Sequence, residues 1–349
     1  MPVEEPRWWY GATDAPIARA LRPVGRITGW IAARRWHTTV PYKSTLPVIC
    51  IGNFTAGGTG KTPLALEVAR LLRKAGAAPV FLSRGYGGRL KGPHRVTKGA
   101  DSAADVGDEV LLLAQTSETF VARNRAAGAR AIEAAVASGV CAGTVIVMDD
   151  GLQNPSLAKD LTIAVVDGGR GFGNDLVMPA GPLRAPLAFQ MGLADAIVVN
   201  QPPGALRPGL VLPKLKQKFP GPVLEATPVP AGATEWVRSR PIVAFAGIGN
   251  PARFFDLLRS LGGNVTETIA FADHHPMNEA DAKRVLAKAG VHDAMIVTTE
   301  KDMARLQSST GALSDLRATA RTLPISLAWT GGDEERLASL LAAALRRQR

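Results

Sequence analysis

The sequence predicts an α/β protein: a parallel-sheet sandwich, followed by a second, smaller α/β domain and preceded by an amphipathic helix. Three observations carry that reading. Short apolar runs of buried-strand type alternate with helical or loop segments from Val48 onward. A glycine-rich turn follows the first of these runs and opens an apolar-periodic helix. The chain, at 349 residues, is long enough for roughly two domains of ~150 residues each.

The first forty residues read as a unit of their own. From Asp14 to Trp36, Ile17, Leu21, Val24, Ile27 and Ile31 recur at helical spacing, while Arg19, Arg22 and Arg26 fall on another face and Arg34 and Arg35 close the segment. Pro23 is expected to kink this helix. With Trp8, Trp9, Tyr10, Trp30 and Trp36 around it, the segment suits a membrane interface, and equally suits a helix packed on its own domain.

Strands are expected at Val48–Ile51, Val80–Leu82, Val145–Met148, Ile163–Val166 and Ile197–Val199, giving a first α/β domain over 41–200. A Pro- and Gly-rich stretch over 201–240 reads as a linker. A second domain over 241–349 is expected to hold strands at Ile242–Phe245, Thr268–Phe271, Met295–Thr298 and Ile325–Ala328, with helices at Pro251–Leu261 and Glu279–Ala289.

Composition excludes several classes. Apolar residues at 46% and charged residues at 20% are ordinary globular usage, which rules out wholesale disorder, collagen and coiled coil. Cys50 and Cys141 sit in apolar runs without metal-ligand spacing, so neither a disulfide scaffold nor a zinc site is expected, and the compartment reads as reducing. No run reaches the ~20 apolar residues of a spanning helix, and no signal peptide is legible at the N-terminus. The net charge of +11 favours an anionic partner: nucleic acid, an acidic membrane or a phosphorylated substrate.

The strongest motif is Thr55-Ala56-Gly57-Gly58-Thr59-Gly60-Lys61-Thr62, between the strand Val48–Ile51 and the helix Pro63–Ala75. It has the spacing of a phosphate loop, with Thr55 where the first glycine is usual. Glycines let successive amides converge on phosphate oxygens, Lys61 neutralises the β/γ-phosphates, and the Thr62 hydroxyl can ligate Mg²⁺. The sandwich is therefore of P-loop NTPase type, and ATP with Mg²⁺ is the expected ligand. Asp149-Asp150 end a second apolar run, where a carboxylate can hold the same cation. Gly247-Ile248-Gly249-Asn250-Pro251-Ala252 spells a dinucleotide-type pattern, but its expected ribose-binding acid has only Glu267 as a candidate, so close strand–helix packing explains it better.

Three further clusters bear on the reaction. Gly107-Asp108-Glu109 opens a helix, where an acid is ordinarily a capping or dipole residue. In Asp273-His274-His275, neighbouring extended residues point to opposite sides, so at most one imidazole serves a site. Arg84, at a strand end among glycines, suits a phosphate or acidic substrate, or a basic surface loop.

Taken together, Gly52 to Pro63, Ser83-Arg84-Gly85-Tyr86-Gly87, Gly107-Asp108-Glu109, Asp149-Asp150-Gly151-Leu152-Gln153, Gly181-Pro182-Leu183-Arg184, Asp273-His274 and Thr298-Thr299-Glu300-Lys301-Asp302 resemble, in order, the motifs of the tetraacyldisaccharide 4'-kinases of lipid A biosynthesis. The resemblance implies transfer of the γ-phosphoryl of ATP to the 4'-hydroxyl of a tetraacyldisaccharide 1-phosphate. It implies that Thr55 to Thr62 (Thr55, Ala56, Gly57, Gly58, Thr59, Gly60, Lys61 and Thr62) bind the nucleotide, with Lys61 catalytic, and that Thr62, Asp149 and Asp150 attend the metal. It further implies that Asp108 is the base, assisted by His274, and that Arg84 and Arg125 are candidates for substrate-binding contacts, to substrate phosphate or to nucleotide. A carboxylate oriented by an imidazole is a workable acceptor for a sugar hydroxyl proton.

The sequence departs from the pattern at Val110, at Ala185 where a Glu is expected, and at Met277 and Asn278, which leaves His275 as an alternative to His274. A substrate with four acyl chains leaves a bilayer at a cost of ~0.8 kcal/mol per CH₂, which favours a peripheral enzyme on the cytoplasmic face of the bacterial inner membrane, its arginines on an anionic surface. No nucleic acid and no obligate protein partner are expected. The rival classes are a P-loop switch or metal-delivery chaperone, which would need no hydroxyl-activating base, and a nucleic-acid-binding ATPase, which would gather its charge beside aromatics in a groove.

Overall fold

The computed structural model describes residues 6–10, 15–201, 211–273, 275–307 and 310–346. The first part of the chain runs α1 (Pro16–Thr38), β1 (Val48–Asn53), α2 (Lys61–Lys74), β2 (Pro79–Ser83), β3 (His94–Arg95), α3 (Ala103–Val106), α4 (Asp108–Ala114), β4 (Thr119–Val121), α5 (Arg125–Ala137), β5 (Val145–Asp149), β6 (Leu161–Asp167), α6 (Leu187–Met191), β7 (Ala196–Asn200), α7 (Val211–Lys218) and β8 (Val223–Pro230). It continues through β9 (Ile242–Ala246), α8 (Pro251–Ser260), β10 (Val265–Ala270), α9 (Glu279–Val291), β11 (Met295–Thr298), α10 (Glu300–Arg305), α11 (Gly311–Thr319), β12 (Arg321–Thr322), β13 (Ile325–Trp329) and α12 (Asp333–Arg346).

A nine-stranded sheet has the order β13-β8-β7-β6-β1-β5-β2-β4-β3. From β8 to β4 all neighbours are parallel, while β13 and β3 join the edges antiparallel. Residues of β1 alternate between two cores: Ile49 and Ile51 meet α2 and α12, while Val48 and Cys50 meet α5. Burial on both faces is why β1, β2, β5, β6 and β7 carry apolar runs rather than polar alternation. Strands β2 and β5 lie to one side of β1, and β6 to β8 to the other, so the crevice at the carboxyl end of β1 is a topological switch point. A second, four-stranded parallel sheet, β10-β9-β11-β12, makes the smaller unit.

Two expectations about domain limits change. The stretch over 201–240, expected as a linker, carries α7 and β8, and β8 pairs with β7 in the large sheet. Its prolines, Pro228 and Pro230, fall at its far end, where they pair with β13. The strand at 325–328, expected in the second domain, is β13, which covers the outer edge of β8 and brings α12 back onto α2. Leu327 and Trp329 pack against the large sheet's core, and the Trp329 indole donates to Glu67 at 3.0 Å. The return moves the edge of the sheet from β8 to the short strand β13.

Helix α1 continues through Pro23. Its buried residues are small, Ala18, Gly25 and Gly29. A Cβ at Gly25 would stand 2.6 Å from the Val177 carbonyl oxygen, and one at Gly29 would stand 3.0 Å from Pro186. Thr28 adds a hydrogen bond from its hydroxyl to the Met178 carbonyl at 2.7 Å. The large apolar residues point outward: Ile17, Val24, Ile27, Trp30 and Ile31 are 46–61% exposed. The helix thus both packs on its own domain, through glycines, and presents an apolar stripe to its surroundings. Among the described residues no helix is long and apolar enough to cross a membrane.

Candidate active site

The phosphate loop occupies the switch point. Strand β1 ends at Asn53, and α2 starts at Lys61 with Gly60 as N-cap at φ 91°. Gly60 is required twice over, because a Cβ there would lie 2.1 Å from the Asn200 amide nitrogen. Thr55 does not adopt a positive φ, so the first position of this loop has no need of glycine. Neighbouring chain segments hold the turn open. The Asn53 amide donates to Thr59 Oγ1 at 3.1 Å, the Asn200 amide to the Thr59 carbonyl at 3.1 Å, and Ala56 N to the Pro182 carbonyl at 2.8 Å.

Asp149 and Asp150, adjacent in sequence, are separated in role by their surroundings. Asp149 is 2% exposed at the end of β5; its Oδ2 accepts from Ser83 Oγ at 3.2 Å, and its Oδ1 is enclosed with no hydrogen-bond partner among the described residues. Burial, reinforced by Glu109 and Asp150, pushes its carboxyl up to about 7. Asp150 takes a left-handed turn at φ 51° and meets Arg184, whose Nη1 lies 2.9 and 3.0 Å from its two oxygens, with Lys61 Nζ at 3.9 Å. Burial opposes its charged form, but Lys61 and Arg184 outweigh it and hold the carboxyl down to about 2. The same Arg184 donates to the Thr55 carbonyl at 3.2 Å, tying the loop to Asp150.

Arg125, expected among the substrate contacts, is enclosed. It is 2% exposed and donates to the Ala122 carbonyl at 2.6 Å and the Asp149 carbonyl at 3.4 Å. A guanidinium so enclosed backs Asp149 as a buried counter-charge, and burial lowers its own affinity for the proton. Arg84 lies exposed just past β2 and within electrostatic reach of Arg125.

Asp108 opens α4 and is 5% exposed. Its Oδ1 accepts from Glu109 N at 2.9 Å; its Oδ2 accepts from Arg305 through Nε at 2.8 Å and through Nη2. Lys301 Nζ stands 3.8 Å from Asp108, 3.2 Å from Glu109 and 3.7 Å from Asp273, and these carboxylates outweigh burial to raise its pKa. Glu109, which sequence reasoning passed over, is the member of this pair that acts electrostatically on Asp149. His274 lies outside the described residues. His275 is committed elsewhere: its Nε2 pairs with Asp281 at 2.8 Å and its ring stacks on Phe271 at 5.1 Å. Asn278 caps α9 by accepting from Asp281 N at 3.0 Å, and Met277 packs into the second unit's core, which accounts for both departures there.

Gly247 serves close strand–helix packing within the second unit, as expected, with α10 as the helix: a Cβ there would stand 2.9 Å from Arg305 Nη1 and 3.1 Å from Asp302 Oδ1. Gly247 N donates to both Asp302 oxygens at 3.1 Å. A Cβ at Gly249 would lie 3.5 Å from Gly58 N and 3.4 Å from Asp273 Oδ2. Gly249 thus lies beside the phosphate loop, at a separation where a Cβ would make ordinary van der Waals contact. Ala185, where a carboxylate was expected, is fully buried, and its carbonyl accepts from Gln190 at 2.6 Å. Arg184, Lys301 and Arg305 carried no assigned role in the sequence; the first two lie in quoted motifs, whereas no local signal marks Arg305.

A phosphate loop at the switch point of a parallel sheet, with a lysine and an unsatisfied buried carboxylate beside it and a second carboxylate held across the cleft, defines a P-loop phosphotransferase. The model of the tetraacyldisaccharide-1-P 4'-kinase family matches residues 17–346, and the chain belongs to that family. A tetraacyldisaccharide 4'-kinase of Methylorubrum extorquens is 47% identical over 348 residues, covering 99% of this chain and 100% of that protein. The protein of that name from Nitrobacter winogradskyi is 44% identical over 340 residues, 97% of each chain. A crystal structure of "apo" form LpxK from Aquifex aeolicus in complex with ATP matches with a TM-score of 0.73 at 24% identity, covering 94% of this chain and 99% of that one, which establishes the shared fold.

Proposed function

We propose that this chain transfers the γ-phosphoryl group of ATP to the 4'-hydroxyl of tetraacyldisaccharide 1-phosphate at a membrane surface. The acceptor follows from family membership. The observation that carries phosphoryl transfer is the enclosed, unpartnered Asp149 Oδ1 beside Lys61. Mg²⁺ fits an oxygen so placed: Asp149 and Thr62 would hold the ion, which when bound would neutralise charge on the phosphates. Asp150 is engaged by Arg184 and Lys61, and in this reading it orients the lysine rather than the metal.

The chain's own residues then divide the work. The amides of the loop and Lys61 receive the triphosphate. Asp108 accepts the proton of the 4'-hydroxyl, with His274 as the assisting imidazole that the family motif suggests. Arg84, exposed near the mouth, is available to substrate phosphate. The outward stripe of α1 with its arginines supports docking on an anionic bilayer, at up to ~1 kcal/mol per basic residue. That surface, with a substrate that stays in the bilayer, supports peripheral placement on the cytoplasmic face of the inner membrane.

Incubation with γ-labelled ATP and tetraacyldisaccharide 1-phosphate in mixed micelles tests the reading. Label should pass to the lipid, and Asp108→Asn should lower kcat by about 10²–10⁴-fold with ATP affinity kept. Wild-type turnover by that variant removes Asp108 from the role of base.

A further inference from the structure

We infer that Arg305, together with the Thr299-Glu300-Lys301-Asp302 motif, is a positioning device that α10 of the second unit delivers to the Asp108 carboxylate. The inference rests on the reading that Asp108 accepts the acceptor's proton. All three guanidinium nitrogens of Arg305 are used. Nε and Nη2 grip Asp108 Oδ2, while Nη1 donates to the Gly247 carbonyl at 2.7 Å and to Asp302 Oδ1 at 2.6 Å. Asp302 is fixed in turn, accepting from Gly247 N and from the Thr299 hydroxyl at 2.6 Å, while Thr299 Oγ1 caps the start of α10 by accepting from Asp302 N at 3.1 Å.

The chain Thr299–Asp302–Arg305–Asp108 therefore runs without a gap from the second sheet to α4, with the side chains of Asp302, Arg305 and Asp108 at 2%, 6% and 5% exposure. Such a buried array is a poor means of stabilising an interface, because desolvating each charge offsets the attraction and apolar side chains of equal volume serve as well or better. What it does supply is a single rotamer for Asp108, which a proton acceptor requires. Lysine would not substitute, since a point charge cannot span Asp108, Asp302 and the Gly247 carbonyl together. Lys301 serves the same end by facing Asp108, Glu109 and Asp273, three carboxylates that would otherwise repel one another and the triphosphate.

The arrangement makes the second unit part of the catalytic apparatus without touching substrate through Arg305. Four proteins test it: Arg305→Met, Arg305→Lys, Asp108→Asn and the double variant Arg305→Met/Asp108→Asn, each assayed for lipid phosphorylation and for ATP KM. Arg305→Met should lower kcat by about 100-fold with ATP KM within about twofold, Arg305→Lys should recover about tenfold of that loss, and the double variant should be no slower than Asp108→Asn alone. Wild-type kcat in Arg305→Met, or losses that multiply in the double variant, overturn the device while leaving Asp108 as base. Full activity in Asp108→Asn instead overturns the base, and the device with it. Should Arg305→Met fail to fold, Arg305→Lys decides: a tenfold or larger fall in kcat at unchanged ATP KM supports the device, and wild-type kcat rejects it.

Discussion

Replacing Asp149 by Asn should make the nucleotide-free protein more stable than wild type at pH 8 but not at pH 4. The carboxyl is fully enclosed, and burial with Glu109 and Asp150 nearby raises it from an ordinary 3.8 to about 7. A folded state that binds a proton more tightly than the unfolded chain has its full stability below the unfolded value and loses it as pH rises through the folded one. At ~1.36 kcal/mol per pH unit, the interval from 3.8 to about 7 is worth on the order of 4 kcal/mol. Asparagine cannot ionise, so the variant escapes that loss. Chemical denaturation in EDTA, without nucleotide, at intervals from pH 4 to pH 8 should show the variant gaining on wild type across the range, by up to about 4 kcal/mol. Adding Mg²⁺ and ATP at pH 8 should restore wild type and help the variant little, since a cation supplies what the carboxylate lacks. A stability difference independent of pH would refute the claim that this carboxylate is held ionised at a cost in the folded protein.

Two further outcomes follow from α1. Ile27→Glu with Trp30→Glu removes apolar burial worth about 1.5–3 kcal/mol per side chain, so sedimentation with anionic vesicles should fall about 100-fold or more while phosphorylation of a micelle-dispersed acceptor stays near wild type. Unchanged vesicle binding would refute the docking surface. Gly25→Val should cost about 1–3 kcal/mol by driving a Cβ into the Val177 carbonyl, and should slow turnover because the 177–186 segment pushed aside carries Arg184; Ala20→Val, on the exposed side of the same helix, is the control expected to change neither thermal midpoint nor rate.

Much of this protein was legible in one dimension. The runs Val48–Ile51 and Val145–Met148 announce buried parallel strands because both of their faces are covered, so apolarity is continuous and needs no partner to be recognised. The phosphate loop is equally local: its glycines, Lys61 and Thr62 act through backbone and side chains within eight consecutive residues. What the tertiary structure alone decided is every arrangement that joins distant segments. That β8 and β13 finish the large sheet depends on an edge left open far away in sequence, which no local period encodes. That Asp149 is raised by burial while its neighbour Asp150 is depressed depends on Lys61 and Arg184, which converge on Asp150 from distant segments. That Arg125 is a buried counter-charge and Arg305 grips Asp108 depends on desolvation and on contacts made across the cleft, where an isolated arginine in sequence looks the same as any other. Residue type and spacing fix the chemistry a chain can perform; the field and the enclosure around each group are sums over the whole fold, and exist only once it has closed.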